Sequence, residues 1–211
     1  MTGVPPREPV VLTGSRVVLS IPGEADLDRI TDLCQDRAVA AWTTVPVPYS
    51  RADAESFVLG MVTRGWAQRT HCTWAIRREP GGTLLGMIGI DGIGDGDAEI
   101  GFWLAPEARG QGLMSEAVSL AIDYAFAAGG AEGRSGLGLE RLVWRAFVGN
   151  AASASVARRA GFRYEGTRRL GGTQRGRRLD DWQAALLHDE PRDPVSDWPD
   201  ETYVQLESTN R

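Results

Sequence analysis

Residues 109 to 115 read Arg-Gly-Gln-Gly-Leu-Met-Ser, between a β-prone run "AEIGFWLA" at 98–105 and a segment with helical periodicity over 113–127. A flexible connection needs glycine but not arginine, and an ordinary helix start needs a cap but not two glycines. An anion site needs both. The first four N–H groups of a helix have no partner within it, and the helix dipole adds about half a positive charge there. Gly110 and Gly112 remove side chains that would block approach, and Arg109 offers a charge-assisted bond. The junction therefore reads as a phosphate cradle made of Arg109, Gly110, Gln111, Gly112, Leu113, Met114 and Ser115.

Other residues could do chemistry beside it. Strand alternation puts Glu99, Gly101 and Trp103 on one face and Ile100, Phe102 and Leu104 on the other. Glu99 is then either a functional carboxylate or an exposed edge residue. Asn150 precedes a short helix and suits its N-cap, with Ser153 in the first turn. Asp180 and Asp181 are further carboxylates, or partners for neighbouring arginines. His71 and His188 have no partner for a triad and no G-x-S-x-G elbow exists, which argues against hydrolase chemistry. The His71-Cys72 pair lacks the second pair that zinc needs, so no metal is expected.

The elements that must position these residues follow from periodicity. Strands are predicted at 16–22, 72–79, 83–93, 98–105 and 139–148, with two closing strands in "GFRYEGTRRL" and "LDDWQAALLHD". Helices are predicted at 24–36, behind the proline-punctuated loop 41–50, at 113–127 and at 150–162. Glu116, Ser119 and Asp123 mark the polar face of the 113–127 helix, with Val118, Ala121, Ile122, Ala125 and Phe126 inward. Residues 127–138 read as a mobile glycine-rich loop, and residues 189–211 as an acidic tail appended to a domain spanning 11–188. This is one mixed α/β domain without the regular alternation of a doubly wound fold.

The 211 residues are enough for one core, and no apolar run is long enough to span a membrane. The N-terminus lacks a secretion signal, so Cys34 and Cys72 are expected as reduced thiols in a cytoplasm. A net charge of −5 argues against nucleic acid as a partner. Six arginines and one glutamate fall within 163–178, as solvated surface or as a site for an acidic group.

Three phosphate cradles compete for 109–115. A nucleotide P-loop needs a Gly-Lys-Ser/Thr ending that is absent. The dinucleotide fingerprint of an oxidoreductase has Gly110 and Gly112 but Ser115 for its third glycine, and Glu132 falls in a glycine loop with no strand before it. The acyl-CoA cradle, R/Q-x-x-G-x-G/A, matches "RGQGLM" except at Met114. With "NAASASVARRAGFRYEG" behind it, the chain resembles the GNAT superfamily of acyl-CoA-dependent N-acyltransferases over residues 11 to about 188, nearest the branch that acetylates ribosomal-protein N-termini.

The resemblance implies a single-domain fold with a central, twisted mixed sheet of about six to seven strands, splayed in the middle and flanked by about four helices. It implies acetyl-CoA as cosubstrate, with the pantetheine arm beside Trp103 and Leu104 and held by Asn150, and the pyrophosphate on residues 109–115. Met114, where the family has glycine or alanine, would crowd the pyrophosphate or turn into the core. Glu99 is implied as general base, with Asp180 and Asp181 as fallbacks, and Ser153 as donor to the departing sulfur. A tyrosine that many relatives place seven residues after the asparagine is Ala157 here. Trp42 and Tyr49 would overhang the acceptor pocket or serve as core aromatics. The partner is an amine, on a small molecule or a protein N-terminus, and a homodimer is compatible with this. An α-amine is about a tenth neutral at pH 7, against about one in two thousand for lysine, so a mild base suffices for the former. A non-catalytic acyl-CoA-binding module is the alternative from a different class.

Overall fold

Most of the expected elements form, and their order explains the site. The computed structural model describes residues 8–128 and 136–206. Strands β1 (Leu12–Thr13), β2 (Val18–Ser20), β3 (His71–Arg77), β4 (Gly86–Gly94), β5 (Asp97–Leu104), β6 (Arg141–Phe147), β7 (Arg163–Gln174) and β8 (Arg177–Leu187) form one sheet. Their order is β1-β2-β3-β4-β5-β6-β8-β7. All neighbours are antiparallel except β5 and β6. Eight strands replace the six to seven expected, because the chain before Val18 folds back as the two-residue β1.

The helices are α1 (Leu27–Leu33), α2 (Arg37–Trp42), α3 (Arg51–Glu55), α4 (Thr63–Gln68), α5 (Leu113–Phe126) and α6 (Ala151–Arg159). Three differences from the sequence reading matter. Residues 24–26 form a 3-10 turn, so the first helix is shorter. The 41–50 loop is entered through α2, whose N-terminus is capped by the Asp36 carboxylate accepting from Val39 N. The predicted helix behind that loop starts with a Ser50–Asp53 capping box and passes through a π-helical stretch, Ser56–Val62, before α4. The wider π turn carries Phe57 and Met61 to the cleft described below.

The core lies on both sheet faces. β3 and β6 are buried along most of their length. Trp66 and Trp74 pack edge-on or tilted against each other and against Tyr124 of α5, whose inward residues begin at Leu113 and Met114. Residues 129–135 of the expected mobile loop lie outside the described residues.

The first closing strand runs on past Leu170 to Gln174, the second starts two residues earlier than expected, at Arg177, and the two form one hairpin turning at Arg175 and Gly176, both with positive φ. Its tip reaches across the molecule: Gln174 Nε2 donates to the carbonyls of Ala41 and Thr43, 2.8 Å each, and Arg175 Nη1 to Ala40 at 2.9 Å. The acidic tail also folds back. Trp198 is 4% exposed, packs against Trp144 and Tyr164, and donates to the Phe162 carbonyl. Farther on, Gln205 Oε1 accepts from Ala152 N at 3.0 Å, and Leu206 N donates to Gly149 O. The start of α6 is thus strapped by the tail. No described helix is long and apolar enough to cross a membrane.

Candidate active site

A parallel seam that stops early creates the cleft. β5 stays in register with β4 as far as Leu104, opposite Gly86, and β6 with β8 as far as Phe147, opposite Asp181. Between themselves, β5 and β6 pair only from Asp97↔Arg141 to Ile100↔Trp144. Beyond Ile100 the strands part, leaving a cleft of about 600 Å³. The α2 side and the β7–β8 hairpin roof its far end, through Trp42, Val45, Gly172 and Thr173.

Register sets the cleft floor in three rows. His71, Asp91 and Glu99 stand side by side on β3, β4 and β5. Thr73, Gly89 and Gly101 form the next row, and Ala75, Met87 and Trp103 the third. Glu99, Gly101 and Trp103 share the cleft, as alternation required. The two facing glycines leave a bare patch of backbone between a carboxylate row and an apolar row.

Glu99 accepts from Arg145 Nη1 at 2.5 Å, and Arg145 Nε donates to Gln183 Oε1 at 2.9 Å. The fallback carboxylates are committed elsewhere. Asp181 is buried and holds Arg168 through two bonds, and Asp180 Oδ1 accepts from Leu170 N at 2.7 Å. Asp91 differs from all of these, since its carboxylate has no hydrogen bond or ion pair among the described residues. It is wet on the cleft side but otherwise surrounded by protein. That desolvation pushes its pKa above the ordinary aspartate value, with His71 opposing the rise and Glu99 adding to it.

On the opposite wall, Asn150 caps α6, its Oδ1 accepting from Ser153 N at 3.2 Å. The amide nitrogen is left available to the cleft, which both residues line. Ser153 Oγ accepts from the indole of Trp144 at 3.0 Å, so the hydroxyl's own proton is free to donate. Ala157 is core.

The cradle lies past the open end of the seam, where β5 hands over to α5. Gly110 and Gly112 have φ of 72° and 74°, a region open to glycine at little cost, and Gly112 gives α5 no side-chain cap. A Cβ at Gly110 would meet nothing within 4 Å. Met114 turns into the core, which resolves the expected crowding. Arg109 is the correction. Its guanidinium donates to Leu104 O at 3.0 Å and Asp36 at 2.8 Å, buttressing the β5 end instead of facing an anion. The Leu104 carbonyl is correspondingly engaged. The cation at the cradle is Arg16, which donates to the carbonyls of Gln111 and Gly112 and pairs with Glu116 at 2.9 Å. Arg78 reaches Gln111 Oε1 from the end of β3. Uncapped helical N–H groups, two positive-φ glycines, open space at Gly110 and an added cation fit a diphosphate.

Trp42 lines the cleft, but Tyr49 is buried, its hydroxyl bonded to Cys34, and belongs to the core. Burial pushes the Cys34 thiol up to about 11, so it is inert at neutral pH. Among the described residues no group of His, Cys, Asp and Glu could hold a metal. Sequence reasoning missed Arg16, Arg145 and Asp91. Only Asp91 had a local signal: folding 83–105 about the Asp95-Gly96 turn sets it opposite Glu99.

A family model described as an acetyltransferase (GNAT) domain matches residues 16–163. A Bacillus subtilis protein carrying the name ribosomal N-acetyltransferase, YdaF, is 38% identical over 92 residues, which is 43% of this chain and 46% of YdaF. The chain spans about half the length of the curated relatives it matches. Among solved structures, RimJ of Mycobacterium smegmatis in complex with CoA-disulfide superposes with a TM-score of 0.75 at 19% identity, covering 87% of this chain and 90% of that one. RimL, a ribosomal L7/L12 α-N-protein acetyltransferase in complex with coenzyme A, gives 0.71 at 19% identity, covering 84% and 98%. At those identities the two structures establish a shared fold.

Proposed function

This chain belongs to the GNAT acetyltransferase family, and on that premise we propose that it transfers an acetyl group from acetyl-CoA to a primary amine by direct attack assisted by a general base. The acceptor is a protein N-terminus or a small molecule. One observation carries the reading: the seam between β5 and β6 opens directly beside the uncapped, glycine-fed start of α5. A diphosphate on the cradle and an arm along the open edge of β5 would bring a thioester between Glu99 and Ser153.

The roles follow from atoms left over by the fold. The N–H groups from Gly110 to Ser115, with Arg16, hold the diphosphate. The β5 edge near Trp103 and the Asn150 amide nitrogen hold the arm. Bound there, acetyl-CoA supplies a thioester carbonyl open to attack by an amine. Glu99, held by Arg145, orders the amine or its water, and Ser153 donates its free proton to the departing sulfur. An α-amine with a pKa near 8 needs little help to lose its proton, and that favours N-termini over lysine side chains. Residues 11–188 form the acyltransferase domain, with 189–211 as its tail. A cytoplasmic setting without nucleic-acid or membrane partners belongs to this reading, and a dimer is compatible with it and checked by light scattering.

Thermal melting with acetyl-CoA, CoA, NADPH or ATP in separate wells tests the donor. A ligand at 100 times its Kd adds about 2.7 kcal/mol, several degrees for a chain of this size. The expected result is a shift with both CoA species, followed by acetylation of an amine panel read by mass spectrometry. A shift with NADPH alone would refute the reading, and binding without turnover would leave a sensor module instead.

A further inference from the structure

The cleft floor holds one carboxylate that the fold does not use. Glu99 is paired with Arg145, Asp181 with Arg168, and Asp180 with a backbone N–H. Asp91 stands directly opposite Glu99 across the β4–β5 ladder. Two carboxylates in that relation repel and cost a sheet stability. One guanidinium, Arg145, serves the pair and is already bonded to Glu99. Three carboxylates line the cleft, Asp91, Glu99 and Asp181, against two guanidiniums, Arg145 and Arg168, and the unmatched carboxylate is Asp91.

Its position is as specific as its charge. Gly89 and Gly101 form the adjoining row, and a Cβ built on Gly89 would lie 3.4 Å from the Asp91 carboxylate, so that group leans over the bare patch. Trp42, Phe57 and Met61 contribute apolar surface to the same cleft. An ammonium on the glycine patch would meet a free anion, with room for an apolar neighbour against those three side chains.

On the premise of the acyltransferase reading, we propose that Asp91 receives the acceptor's ammonium and is the immediate base that takes its proton, while Glu99 with Arg145 sets the field around it. The step breaks one N–H bond of the ammonium and forms an O–H bond on Asp91, leaving the nitrogen lone pair free. Asp91 then returns the proton to cleft water. The overall reaction of ammonium and thioester gives amide, thiol and one proton released. The cleft side of Asp91 is faced by His71 from β3 and Glu99 from β5, with Arg145 of β6 behind Glu99 and the Arg168–Asp181 pair across the opening. The upward shift of its pKa by desolvation moves Asp91 toward the amine it must deprotonate, which is the direction useful to a base.

The test uses the full chain with CoA bound and L-leucinamide as amine probe, an α-amine with an apolar neighbour and no carboxylate. Side-chain carboxyl 13C shifts of Asp91 and Glu99 are titrated with pH, with and without the probe, and assigned through Asp91→Asn and Glu99→Gln. The expected result is that leucinamide lowers the Asp91 titration midpoint and perturbs Asp91 more than Glu99. A response at Glu99 alone, or at neither, overturns the proposal. In turnover, Asp91→Asn is expected to lower kcat/KM for the amine by about 10²- to 10⁴-fold and remove the acidic limb of the pH profile, with Asp91→Glu restoring part of both. An acidic limb kept in Asp91→Asn but lost in Glu99→Gln overturns it as well. Stabilisation by acetyl-CoA is read on the same samples, so a failure of the donor reading is seen separately from a failure at Asp91.

Discussion

Replacing Ser153 by alanine separates structure from chemistry in one residue. Trp144 is 1% exposed and its indole N–H points at Ser153 Oγ, 3.0 Å away. Removing that oxygen strands a buried donor, which costs about 1–3 kcal/mol. For a chain of this length each kcal/mol moves Tm by about 2–4 °C, so Ser153→Ala should melt roughly 2–12 °C lower. The companion variant Trp144→Phe removes the donor, and in the double variant the loss of Ser153 should then cost much less, a coupling that a double-mutant cycle measures. The second consequence is kinetic. With Oγ accepting from Trp144, the hydroxyl proton is left for the cleft, so kcat should fall by about 10- to 100-fold, a modest loss because a thiol of pKa near 8.5 leaves tolerably well alone. KM for acetyl-CoA should stay nearly unchanged. An unchanged Tm would refute the Trp144 bond. A lowered Tm with unchanged kcat would make Ser153 a structural acceptor and nothing more.

Gly112→Ala forces a side chain onto a φ of 74° and puts its Cβ 3.0 Å from the Arg16 guanidinium; a left-handed cost of about 1–2 kcal/mol together with the displaced cation should weaken acetyl-CoA binding by about tenfold, measured by calorimetry. Trp198→Ala opens a void against Trp144 and Tyr164 and should cost about 3–5 kcal/mol in urea unfolding. The bonds from Arg141 hold the Glu165 carboxyl below its ordinary pKa, and at Glu116 the bonds from Arg16 and Ser15 outweigh a desolvation that acts upward. Folded values below unfolded ones mean stability that is complete above the ordinary glutamate range and lost as pH falls through the folded values, so Tm should drop below about pH 4. Asp91→Asn works in the opposite sense: it removes a carboxylate whose raised pKa penalises the fold at neutral pH, so Tm at pH 7 should rise even as turnover falls.

Local signals made the cradle and the α6 start legible. Glycines at 110 and 112 before a helical period, and Asn150 three residues ahead of Ser153, state their geometry within one turn of chain. The alternation of 99, 101 and 103 set the cleft face correctly because a strand has only two faces. Arg16 was invisible because it reaches Gly112 through the β1–β2 turn, whose backbone is latched by Glu116 about a hundred residues later. Arg109 misled because its charge was read without Asp36, a partner supplied by α2. The arginines of 163–178 looked like solvated surface, yet Arg168 and Arg175 have internal partners set by a hairpin whose length no local pattern announced. Trp42 and Tyr49 fall in one stretch of sequence, yet Trp42 ends α2 and lines the cleft while Tyr49 turns into the core, which composition cannot distinguish.

The short β5–β6 seam also bears on how the molecule comes apart. The sheet consists of two leaves, residues 12–104 and 141–187, each internally well registered and joined by four backbone positions. Local opening follows the line of fewest shared hydrogen bonds, so the leaves should behave as separate cooperative units that part along this line before either melts. A ligand lying in the seam would act as a rivet between them. Those amides of β5 beyond Ile100 that point to the open seam instead of to β4 should then exchange with solvent quickly in the free protein and slowly when the seam is filled. Heat unfolding should sharpen from two overlapping transitions toward one.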